Sequence, residues 1–388
     1  LKLDYRSVRF WTALAILFTC ASVEAAPRRN YFVYVCAESD DTVHKLRFGP
    51  SGFEEIRKIS VGAFPAETEG PHGINISPDG RHWFLSIAHG MPFGSVHKYE
   101  AETDEWLADV TVGMFPATMA VSPATGLLFV VNFDLHGDMR PSSISVVETR
   151  TMIEVERIAT GIMPHGARMN AKGTHLYSVN MMSDSLVELD AFKFDIARTL
   201  SLHDDDDGEG EGEGAGHGHS MHQESPDDGS GGDPLLTRMS STVKPTWATS
   251  PTPDGKVYVA GNGIHKIYEV DLDAWEVSRT FDAGDGMGPY NLDVTPDGKL
   301  LVATYKSAAH VGVWDLHLGE ELARIETTRT VPHGVAVSDD GLYAFVTLEG
   351  KGGEPGTVEV YDLDAKQRVA TADVGKQAGG IVFWKGEP

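Results

Sequence analysis

GPHGINISPDG, residues 70–80, sets a proline turn, a short apolar-alternating run and a second turn within a single stretch. The same plan returns as MPHGARMNAKG from Met163 and as VPHGVAVSDDG from Val331. Proline presets φ for a tight turn, and Asp-Gly, or Lys-Gly in the second stretch, closes one, so each stretch reads as one strand between two reverse turns. Four further copies keep the entry turn and change its middle: Pro116-Ala117-Thr118, Pro245-Thr246-Trp247, Pro289-Tyr290-Asn291 and Ala378-Gly379-Gly380.

Each of the first six copies continues in the same order. A β-rich run follows the reverse turn, as in HWFLSIA, LLFVVNF and KVYVAGN, then come a third strand such as KIYEVDLD and a fourth such as IEVERIATG. The starts are separated by 45, 48, 81, 44, 43 and 46 residues. Four short strands every ~45 residues make a β-propeller blade. The last start, GGIVFW from Gly379, has no room for partners, and YFVYVCA, TVHKLRF and EEIRKISVG near the N-terminus supply three. The expectation is an all-β, seven-bladed propeller of four-stranded antiparallel blades, its last blade closed by both termini so that no sheet edge stays open.

Runs such as VYVCAES, LFVVNFD and VYVAGNG resemble the YVTN-type propeller family over essentially the whole chain after the leader. That resemblance implies a fold and leaves the function open, because propellers host enzymes, binders and scaffolds alike.

Residues 1–25 read as a signal peptide. Lys2, Arg6 and Arg9 precede the apolar run FWTALAILFT, and Val23 and Ala25 are small residues placed for cleavage before Ala26. The propeller is then residues 26–388 of a periplasmic or secreted protein, and no later run is long and apolar enough to span a bilayer. Cleavage leaves Cys36 as the single cysteine, expected to be buried in YFVYVCA because it has no disulfide partner. The formal net charge is −25. Such acidity argues against nucleic acid and anionic membranes and attracts cations.

In a propeller the first strand of each blade lines the central channel, and the turn entering it sits at the channel mouth. His72, His165 and His333 then ring that mouth on blades 1, 3 and 6, spread as evenly as three of seven positions about 51° apart can be. Three converging imidazoles form a ligand set for zinc, copper, iron or nickel and leave a position open for water or substrate. The competing reading is duplication of a good turn, but four of the seven starts keep the turn without histidine. His89 and His136, in loops between second and third strands, fall on the same face and extend the candidate metal set. His44, His97 and His265 share the pattern Val/Ile-His-Lys and read as one structural position of the third strand.

The interval of 81 residues holds an insertion, residues 203–234, rich in Gly, acids and histidine and without apolar period, expected to be disordered on its own. His203, His217, His219, Met221 and His222 within it make an auxiliary metal tract, since histidine with methionine suits copper, nickel or zinc. The Pro-His-Gly entry also resembles the copper-cluster propeller of nitrous-oxide reductase, which implies copper ligation by His72, His165 and His333. The chain lacks that family's His-His pair and its cupredoxin domain, so reduction of nitrous oxide is not expected.

The functional expectation is a propeller that binds copper, with zinc second, at its channel mouth; a carrier, a sensor and an oxidase resembling the copper-dependent thiol-oxidising propellers all stay open. The first alternative is a lactonase-like hydrolase holding calcium through Glu349, Asn132, Asn180, Asn262 and Asn291. The second is a non-catalytic scaffold for a protein partner.

Overall fold

The computed structural model describes residues 27–62, 67–89, 92–203 and 241–388 of the chain. The proposed leader, Met221, His217, His219 and His222 lie outside them. Seven four-stranded antiparallel sheets form a ring. Their first strands begin at Pro71, Pro116, Pro164, Pro245, Pro289, Pro332 and Ala378, as the turns predict. Among the described residues no helix is long and apolar enough to cross a membrane.

The ring is closed as expected. The C-terminal strand Ala378–Glu387 pairs antiparallel with Asn30–Ala37, which continues through Thr42–Gly49 to Gly52–Ser60. Aromatic packing seals both sides of this composite seventh blade. Tyr31, Phe48, Tyr343 and Phe345 join it to blade 6, and Tyr34, Trp83 and Trp384 join it to blade 1. Polar ends of these rings are satisfied: the Tyr34 hydroxyl donates to Asp104 Oδ1 at 2.7 Å, and Trp384 Nε1 donates to the Gly80 carbonyl at 2.8 Å. Cys36 is fully buried in this seam, as expected. Outer strands such as Asp195–Ser201 and Glu320–Glu326 alternate exposed and half-buried residues, the pattern of a sheet with one wet face.

The entry turns carry two local devices. The residue just before each first strand has positive φ in all seven blades: Gly70, Phe115, Met163, Lys244, Gly288, Val331 and Gln377. The register between first and second strands then shifts by one residue just after the proline in blades 1 to 6. Such a bulge re-aims a side chain and frees a backbone N–H. In blades 1, 5 and 6 the freed N–H of Gly73, Asn291 and Gly334 donates to Ser86, Thr304 and Thr347 of the second strand, at 2.7, 3.0 and 2.8 Å. The glycine of Pro-His-Gly is a packing requirement, because a Cβ on Gly73 would lie 2.0 Å from the Ala117 carbonyl oxygen of the next blade.

Candidate functional site

The second residue of each first strand, aimed by the bulge, faces the axis. Around the ring these positions hold His72, Ala117, His165, Thr246, Tyr290, His333 and Gly379. Four of them carry rings, and the four make a closed circuit. His72 stands 6.5 Å from His165 between ring centres, His165 5.6 Å from Tyr290, Tyr290 4.8 Å from His333, and His333 5.9 Å from His72. The three Pro-His-Gly histidines are thus brought together at one level of the channel, with Tyr290 completing the tier.

Backbone and side-chain partners fix how these rings face. His165 is 1% exposed, and its Nδ1–H donates to the Thr246 carbonyl at 2.8 Å, so the lone pair sits on Nε2, 3.4 Å from the Tyr290 hydroxyl. Burial lowers its pKa to about 3, against a small opposing effect of that hydrogen bond. His333 is 6% exposed, and burial, then the Lys306 ammonium, hold it well below the ordinary histidine range. Its Nδ1 is buried without a partner, and its Nε2 lies 3.8 Å from Glu349. His72 Nδ1 donates to Glu38 Oε2 at 2.8 Å.

A second ring of residues overlies the tier. It comes from the position that follows each second strand, and it includes Glu38, Phe133, Lys306 and Glu349. With the tier they line a cavity of about 270 Å³ that also includes Phe115 and Leu135. Burial pushes the Glu38 carboxyl up, but His72 and His89 together outweigh it and hold it well below the usual carboxylate range. Lys306 pairs with Glu349 at 2.9 Å and lies 4.2 Å from the centre of the Tyr290 ring. Two carboxylates therefore face one ammonium, with both Glu38 oxygens held by the imidazoles of His72 and His89.

His89 and His136 stand outside this tier. His89 Nε2 is bonded to Glu38 Oε1 at 2.8 Å, and His136 is exposed. The Phe115 ring sits 5.2 Å from His72 and 5.5 Å from both His89 and His136, so it separates the outer pair from the inner rings. His203, the described member of the auxiliary tract, is exposed and lies 3.2 Å from Asp184, which caps the chain entering blade 4. Among the amides of the calcium alternative, the side-chain oxygen of Asn180 accepts from Thr160 and Gly161, while those of Asn132 and Asn291 are buried without a partner. Asn132 donates to Ser143 and Ser145, Asn180 joins Thr160 and Ser185, and Asn262 donates to the Gly288 carbonyl, while Asn291 lies deeper in the channel. His44 and His97 do share a position inside the third strand, whereas His265 precedes its strand with a left-handed backbone, three residues out of register with them.

An imidazole bound through nitrogen at about 2.0–2.1 Å holds its ring centre roughly 3 Å from the ion, so two rings on one tetrahedral ion stand about 5 Å apart. The 5.9 and 6.5 Å separations from His72 are wider than that. Accordingly, among the described residues no three His, Cys, Asp or Glu side chains form a ready-made coordination set as they are placed. The donor chemistry fits a metal, and the rings must close in around His72 to hold one.

Among solved structures the chain is similar to Kuenenia stuttgartiensis hydrazine synthase, with a TM-score of 0.61 over 83% of this chain and 93% of that chain at 18% identity. At that identity the likeness shows the fold alone. No family model and no curated protein sequence matches the chain, so its likeness to YVTN-type propellers rests on the runs quoted above.

Proposed function

We propose that this propeller binds one late first-row transition-metal ion, copper first and zinc second, on His72, His165 and His333 at the channel mouth. The observation that supports it most is the preparation of the imidazoles. His165 and His333 are held uncharged by burial, and the Nδ1 atoms of His72 and His165 are engaged with Glu38 and a backbone carbonyl, which leaves Nε2 as the coordinating atom in both. Metal-ligating histidines characteristically donate their other N–H to a carboxylate or a carbonyl in this way. The orphaned Nδ1 of His333 adds a buried group that gains a partner when the tier closes.

Imidazole sets suit copper and zinc, and at a given set of nitrogen ligands copper(II) binds more tightly than zinc. Glu38 and Glu349 favour a cation there electrostatically, and Lys306 offsets only one of them. The cavity above, lined by Phe115 and Phe133, gives a bound ion access to a small molecule. The auxiliary residues His203, His217, His219, Met221 and His222 would serve as a tethered capture tract.

Elemental analysis by inductively coupled plasma mass spectrometry tests the reading on untagged protein after exposure to copper or zinc and desalting. Near-stoichiometric metal is expected in wild type and in a form lacking residues 204–234, and its loss is expected in a His72/His165/His333→Ala variant. Metal that persists in the triple variant, or disappears with the insertion alone, overturns it.

A further inference from the structure

Below the histidine tier the channel continues as a second cavity of about 190 Å³, bounded by His72 and His333 above and lined by Asn75, Arg168, Trp247, Asn291 and Asp293 along the first strands. A cavity of about 150 Å³ takes up benzene, so this one suits a ligand of roughly six to eight heavy atoms. Its polar groups are sorted by type. Arg168 on blade 3 lies 4.6 Å from the centre of the Trp247 ring on blade 4, and together they present a guanidinium and an indole N–H. Asn291 and Asp293 are two residues apart on the first strand of blade 5, so both point to the channel from one face and present acceptors.

Neither side is satisfied within the protein. Trp247 is 6% exposed and Asn291 3% exposed, yet Trp247 Nε1 and Asn291 Oδ1 are buried without hydrogen-bond partners. A buried polar atom left unpaired costs free energy that a ligand can recover. Arg168 Nη1 donates to the neighbouring Ala167 carbonyl, and among the described residues no ion pair joins the guanidinium to Asp293. The two Asp293 oxygens accept from the backbone N–H groups of Val294 and Val337, and each keeps a lone pair. Burial pushes Arg168 down and Asp293 up, the mark of opposite charges in one cavity that do not fully neutralise each other.

We propose that this lower cavity is a binding site for a small zwitterion, a free amino acid of about six to eight heavy atoms, with its carboxylate on Arg168 and Trp247 Nε1 and its ammonium on Asp293 and Asn291 Oδ1. A carboxylate matches the planar guanidinium fork, and an ammonium supplies the donors that the Asp/Asn pair lacks. None of these four residues belongs to the ring tier, although His72 and His333 of that tier bound the cavity from above.

The test uses the full chain, treated with chelator and dialysed, in thermal-shift and calorimetric titrations. Probes are glycine, L-alanine, L-serine and β-alanine, with acetate and ethylammonium as half-ligands, each to about 10 mM. At least one zwitterion is expected to raise Tm and to bind at least about tenfold more tightly than either half-ligand, because each lacks one charged end. Arg168→Gln and Asp293→Asn are each expected to abolish that shift with an unchanged far-ultraviolet circular dichroism spectrum. No zwitterion shifting the wild type, acetate binding as well as L-alanine, or binding unchanged in a folded Arg168→Gln variant each overturns the proposal. The half-ligand comparison decides on wild type alone if the variants do not fold.

Discussion

Replacing Glu38 with glutamine separates the ring tier's support from the tier itself. Glu38 is 6% exposed and its two oxygens accept from His72 Nδ1 and His89 Nε2, each at 2.8 Å. Glutamine keeps the shape but has one acceptor and one donor group, so at most one of these bonds survives unchanged. A hydrogen bond to a charged partner is worth about 1.5–3 kcal/mol, which sets the expected loss of stability near neutral pH. For metal, loss of an outer partner of a ligating histidine costs about 10–100-fold in affinity, or about 1.4–2.7 kcal/mol. The pH dependence has a definite sign. Because the Glu38 carboxyl is depressed in the fold, its contribution is complete above about pH 5 and fades as pH falls toward the folded value. His89 is raised, chiefly by its hydrogen bond to Glu38, so its contribution is full below about pH 6.5 and fades as pH rises through the folded value. Wild type should therefore carry a stability plateau between those limits that the variant lacks. Thermal denaturation from acid to mildly alkaline pH, with competitive chelator titration of copper and zinc, measures both effects. Metal affinity within a factor of about two of wild type, in a variant that has lost the plateau, refutes the coupling of Glu38 to the tier.

Three further outcomes follow from single contacts. Gly70→Ala places a Cβ 1.9 Å from His89 Cδ2 at a φ of +68°, so it should displace His89 and destabilise by about 1–3 kcal/mol, read as a lowered Tm. Deleting residues 378–388 removes the strand that closes the ring, with Ile381 and Trp384, and each large buried apolar side chain contributes about 1.5–3 kcal/mol, so the remaining chain should lose cooperative melting and become protease-sensitive. Cys36 is fully buried and burial pushes its thiol well above the ordinary value; it should resist alkylation by iodoacetamide in the native protein and react fully in denaturant, as intact-mass measurement would show.

The propeller was legible because its strand starts are written in turn chemistry: an entry proline and a reverse turn ending in glycine mark every blade but the last, with Asp-Gly in four of the six, and they act locally. The three histidines were legible for the same reason, being embedded in the marker itself. Tyr290 was harder, although it occupies the same second position, because only comparison across all seven starts reveals it as the fourth ring. Glu38, Phe133 and Lys306 were not legible at all as a group. They follow second strands ending in Ala37, Asn132 and Tyr305, and their equivalence appears only through the pairing of those residues with Ala378, Pro116 and Pro289. His265 shows the opposite failure, since a shared tripeptide placed it with His44 and His97 although its backbone turns left-handed before the strand begins. The left-handed residue at every entry was hidden as well, because five of the seven are not glycine.

These hits and misses have one physical origin. A propeller repeats its backbone, so the bulge and the left-handed entry recur around the ring and deliver two residues per blade to the channel mouth. The repeated backbone needs only turn formers and small residues at its contacts, as Gly73 against Ala117 shows. What differs between blades at the two delivered positions is therefore free of the demands of the fold. At the first position three blades carry histidine and one tyrosine; at the second, two carry carboxylates and one lysine. Burying Glu38 and His333 costs desolvation that an apolar lining would avoid, so their retention at the axis is better explained by a ligand than by the ring they sit in.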